Sequence, residues 1–167
     1  MTDQIHLHPL VFTLQTAVEG SGFLAGITVS GRAVMEQDEN KEWWMYGVYP
    51  GAIAAGGETP NEAFLNFRNR YKDVLFDLAE ESGAFLGFKN ATEKFFNAVD
   101  QQELTRWNGA LAKVRELCCD PPEPFGEMPR KKAEDASLEI LIERLENRKP
   151  QQFKPTNNIQ DSVAQAA

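Results

Sequence analysis

One run near the middle of the chain must turn a strand into a helix: Tyr49-Pro50-Gly51-Ala52-Ile53-Ala54-Ala55-Gly56-Gly57-Glu58-Thr59-Pro60-Asn61-Glu62-Ala63. It limits the fold more than any other part of the sequence. Ahead of it, Trp43 to Tyr49 is aromatic and suits a strand. Pro50-Gly51 stops that strand, and Gly56-Gly57 supplies a turn with permissive backbone angles. Thr59 then caps a helix. Pro60 fits the first helical position, and Glu62, three residues after Thr59, completes a capping box. Pro50, Gly51, Gly57, Thr59 and Glu62 are therefore read as turn and cap residues, with backbone work and no chemistry.

The surroundings of this hinge read as α+β. Leu10 to Val18 and Phe23 to Met35 are strand candidates separated by the turn Gly20-Ser21-Gly22. The polar run Glu36 to Glu42 is a hairpin loop leading to Trp43–Tyr49. Three strands on short turns make an antiparallel meander. The helix from Pro60 repeats apolar residues at three- and four-residue spacing: Ala63, Phe67, Tyr71, Val74, Leu75, Leu78. That stripe predicts packing across one face of the sheet, with Arg68, Arg70, Lys72 and Asp73 on a solvated side. Ser82-Gly83 ends the helix. Residues 84–98 and 101–117 predict two further helices, which need docking to be stable. Residues 137–145 fit either period, and their β-branched residues favour a fourth strand joining the meander.

A length of 167 residues suits one domain. The domain is placed at residues 1–146, with a helical extension at 84–117 and a proline-rich connector at 118–136. A polar tail follows at 147–167. Seventeen basic against 25 acidic residues give a net charge of −8. That balance disfavours a nucleic-acid backbone as the main partner and suits a basic protein. The cysteines, Cys118 and Cys119, are adjacent and offer no disulfide framework, so a reducing cytoplasm is expected. No basic, apolar leader is seen at the N-terminus, and no run approaches the ~20 apolar residues that span a bilayer, so no membrane role is expected.

Candidate chemistry is sparse. His6 and His8 would share a side of an extended segment, but no third ligand is near. The strands carry almost no carboxylates, with only Glu42 bordering the third, which argues against an RNase H-type metal nuclease. No phosphate-cradling loop or nucleophile elbow is present. No catalytic residue, metal site or cofactor is assigned. The aromatics Trp43, Trp44, Tyr46 and Tyr49 are the candidate partner-binding residues. They could instead stack single-stranded bases, which keeps an RNA- or nucleotide-binding alternative. The plainer reading is a sheet covered on one face by the main helix and partly on the other by the Phe-rich second helix.

The central run resembles the HicB family of bacterial antitoxins. That family's segment reads roughly Pro-Gly-Cys, a short loop, then Gly-Asp-Thr, two residues, Glu-Ala, two residues, Asn. Here stand Pro50-Gly51-Ala52, Gly57-Glu58-Thr59, Glu62-Ala63 and Asn66. The resemblance covers residues 8 to 82, and the added helices and tail make this a divergent example. It implies a partial RNase H-like fold without catalytic residues. It also implies a protein partner, a small basic RNase toxin of the HicA kind. An antitoxin-like or inhibitory, non-enzymatic binding module is the resulting expectation, with homo-oligomer formation through an edge strand.

Overall fold

β1 (Leu7–Gly20) and β2 (Phe23–Gln37) form a long hairpin in continuous antiparallel register, from Leu7↔Glu36 to Gly20↔Phe23. The turn between them is Ser21-Gly22, and Gly22 takes a positive φ of 75°, where a side chain would be strained. In this computed structural model, residues 7–117, 122–125, 139–145 and 164–166 are described. Cys118, Cys119, His6 and most of the connector and tail lie outside them.

The far edge of β2 is filled by two strands placed end to end. β3 (Trp43–Tyr49) pairs with Arg32–Gln37, and β5 (Glu139–Arg144) pairs with Ala25–Ser30. The expected fourth strand is thus present, antiparallel to the meander. Two more strands complete the sheet. β4 (Ala54–Gly57) lies beyond β3, and β6 (Ala164–Ala166) pairs with Leu10–Phe12 of β1. The chain is α+β, an antiparallel sheet with one long helix packed on it and two further helices.

β4 corrects the reading of the central glycines. Gly56 and Gly57 pair with Trp44 and Trp43 as strand residues, and neither has a positive φ. The reversal comes earlier, at a cis Tyr49–Pro50 bond and at Ala52, whose φ is 62°. Gly57 is needed for space instead: a Cβ there would lie 2.6 Å from the Ala63 nitrogen.

α1 (Pro60–Glu81) crosses one face of the sheet, burying Phe64, Phe67, Tyr71 and Leu75 against Phe12, Leu14, Ile27 and Met45. Arg68, expected in solvent, is buried. It sits one turn after Phe64, inside the apolar arc, and lines a small cleft with Phe12, Thr13, Leu14 and Tyr71. α2 (Phe85–Phe96) joins this same face: Phe88 meets Phe23 at 5.3 Å and Phe96 stacks on Tyr71 at 5.3 Å. The second helix therefore does not cover the opposite face. α3 (Gln101–Leu117) does so, placing Trp107 and Leu111 on Val34 and Val48. Asp100 caps α3 by accepting from the Glu103 nitrogen at 3.0 Å.

Candidate partner-binding site

Strand alternation sends Trp43 and Met45 to the α1 face and Trp44 and Tyr46 to the α3 face. A β-bulge follows, because Arg32 pairs with Tyr49 while Ala33 pairs with Gly47. The extra residue, Val48, lets Tyr49 join Trp44 and Tyr46 on the α3 side beside Arg32. Of the four aromatics named from sequence, Trp44 and Tyr46 are brought into contact, and Tyr49 and Trp43 are not. Trp43 packs at the rim of the main core, 6.2 Å from the His8 ring.

Trp44 and Tyr46 stack, with centroids 6.2 Å apart and planes at 21°. Trp44 also lies flat over Gly56, where an added Cβ would meet its ring at 3.0 Å. The guanidinium of Arg106, on α3, sits 5.2 Å from the Tyr46 ring. Arg106 donates twice to Glu103, at 3.0 and 2.8 Å, and once more to Glu36 on β2. Burial pushes the Tyr46 hydroxyl up from its ordinary pKa, and the Glu36 carboxylate, to which it is hydrogen-bonded, raises it further. Tyr49 is tied elsewhere: its hydroxyl donates to Asn97 Oδ1 at 2.5 Å. Arg32 lies over the Trp107 ring at 4.7 Å.

The result is a half-buried ladder running Trp44, Tyr46, Arg106, with Glu36 and Glu103 closing it. Its one cation already holds two carboxylates, so it offers little to a phosphate. Sequence reasoning missed Arg106, Glu36 and Glu103. The three-residue spacing of Glu103 and Arg106 on a helix was a legible signal. The link to Glu36 was not, since it depends on which face α3 covers.

The turn-and-cap residues join β3, β4 and α1 beside this ladder. Thr59 Oγ1 accepts from the Glu62 nitrogen at 3.1 Å, and Glu62 Oε2 accepts from the Glu58 nitrogen at 2.8 Å. Asn66 Nδ2 donates to the Gly56 carbonyl at 2.9 Å, which fastens β4 to α1. The Gly51 nitrogen donates to the Ala98 carbonyl at 2.8 Å, so the Pro50-Gly51 bend also anchors the link between α2 and α3.

Among the described residues, no group of three or more His, Cys, Asp or Glu is placed to hold a metal ion. Among them too, no helix is long and apolar enough to cross a membrane. Comparison with protein-family models, with curated proteins and with solved structures returned no match.

Proposed function

We propose that this chain is a non-enzymatic, HicB-like protein-binding module, antitoxin-like or inhibitory, that acts in the cytoplasm on a basic protein such as an RNase toxin. Support comes first from the order of elements. A meander of strands feeds through a capped turn into one long helix lying across the sheet, as the HicB resemblance implies. The observation that carries a protein partner over RNA is the state of Arg106. Its three hydrogen bonds go to Glu103 and Glu36, so the aromatic ladder carries carboxylates where an RNA platform needs unpaired cations. With a net charge of −8, a basic partner is drawn in by the long-range field and a polyanion is repelled.

The test is co-expression with a small basic protein encoded beside this chain. Co-purification, and suppression of that protein's RNase activity, are expected. Recovery of this chain only as a homo-oligomer counts against the proposal. The RNA-binding alternative rests on the half-exposed Trp44–Tyr46 stack. A tryptophan fluorescence titration with single-stranded RNA at low salt decides it: no quenching is expected, and saturable quenching would establish the alternative.

A further inference from the structure

Among the described residues, the two faces of the sheet are covered unequally. α1 and α2 together bury Leu10, Phe12, Leu14, Val18, Ile27 and Val29 on one face. On the other face α3 reaches only the end built from the first half of β1, the last half of β2 and β3. The remaining end consists of Thr13, Gln15 and Ala17 on β1, Thr28 and Ser30 on β2, and the outward side of β5. Those five β1 and β2 residues are half-buried.

The composition of this end is unlike an ordinary solvated sheet face, where long charged side chains alternate with buried ones. Its centre is uncharged and small. Thr13 and Ser30 share a hydroxyl hydrogen bond of 3.3 Å across the strands, and Ala17 stands opposite Gly26. Two large apolar side chains project from it, Leu24 at 38% exposure and Leu141 at 45%. Among the described residues of this end, charge appears only at the border, as Glu19, Glu139 and Glu143. Arg32, on the side toward α3, is stacked on Trp107. Arg144 lies on the opposite face, over Phe85 at 6.0 Å. A charge-depleted centre with a charged rim is the anatomy of a binding surface.

Its dimensions fit one helix. From Thr13 to Glu19 the patch runs about 20 Å at ~3.4 Å per residue, and three strands at ~4.8 Å spacing make it about 10 Å across. A helix with its side chains is roughly 10–12 Å wide.

We propose that this open end of the sheet receives a basic amphipathic helix of the protein partner, laid beside α3 with small or apolar residues on the strands and Lys or Arg against Glu19 and Glu139. The inference rests on the protein-binding function proposed above and names the surface that performs it. The Trp44–Tyr46–Arg106 ladder then serves to hold α3 in place.

The probe is a synthetic amphipathic peptide of roughly 14 residues, built from leucine, alanine and lysine to match the patch length at ~1.5 Å per residue. It is titrated into the isotope-labelled full chain and followed by NMR. Amide shifts are expected to concentrate at residues 13–19, 24–30 and 139–143. Ala17→Lys and the exposed Glu139→Lys each lower affinity roughly tenfold, because they set like charge against the peptide. Glu80→Lys, an equal charge change on exposed α1, alters it less than about twofold. Shifts at Trp44 and Tyr46, or equal losses for Glu80→Lys and Glu139→Lys, overturn the location. Absence of peptide binding overturns it too. None of these results touches the co-expression test, so a failed docking surface and a failed protein-binding function are told apart.

Discussion

Thr59 shows how much of a fold one hydroxyl can direct. Its Oγ1 satisfies the Glu62 nitrogen, while the Glu62 carboxylate reaches past the cap to the Glu58 nitrogen. Two otherwise orphaned donors are satisfied at the point where β4 becomes α1. Thr59→Ala is expected to lower unfolding stability by about 1 kcal/mol, read from the urea midpoint at unchanged slope. Tyr71 acts at the same scale through burial. It is fully buried, and burial raises its pKa well above the ordinary 10.0. Above pH 10 the unfolded chain releases this proton while the native chain keeps it, so the native state binds more protons and stability falls as pH rises. The contribution is complete below pH 10 and is lost upward from there. Urea midpoints measured from pH 9 to 11 should decline, and Tyr71→Phe should decline less steeply, since phenylalanine has no proton to hold.

At the scale of elements, periodicity made most of the fold legible. The stripe from Ala63 to Leu78 gave α1, and the β-branched run from Ser137 to Leu145 gave β5. What escaped were pieces too short to carry a period. β4 has four residues, two of them glycine, and strand alternation needs more than that to show. Its glycines resemble turn signals because glycine serves both permissive angles and close approach, and only the second applies at Gly57. β6 has three residues at the end of a polar tail, and its strand character comes from β1. Tyr49 would have been assigned to the wrong face by simple alternation, since the bulge at Val48 is set by the partner strand. The connector shows the same dependence on context. Four prolines between residues 121 and 129 read as an extended spacer. Yet Phe125 is 1% exposed and meets Phe64 edge-on at 5.8 Å. It clips the connector onto α1. Phe125→Ala should cost about 3 kcal/mol in urea unfolding, in the range for a buried phenylalanine. A merely tethering connector would leave the midpoint unchanged.

On the scale of the whole molecule, the question is whether the part beyond Gly83 is an appendage or a share of the core. The family resemblance ends near residue 82 and invites the first answer. Packing gives the second. Phe23 on β2 has Phe85 and Phe88 of α2 as its aromatic neighbours, at 5.9 and 5.3 Å. Tyr71 rests on Phe96. Val34 and Val48 are fully buried in a cluster with Trp107 and Leu111. β5 fills the edge of β2 from Ala25 to Ser30, and Ile142 joins the main core. Removing residues 84–167 would therefore open both faces of the sheet at once and leave half of β2 without an edge partner. Such losses act together, because each covers a surface that the others border. The fragment 1–83 is expected to show no cooperative thermal transition and a collapsed amide spectrum. The full chain should melt in one step by both fluorescence and circular dichroism. A fragment that melts cooperatively would mean that the meander and α1 hold a sufficient core, and that α2 and α3 are additions to a finished domain.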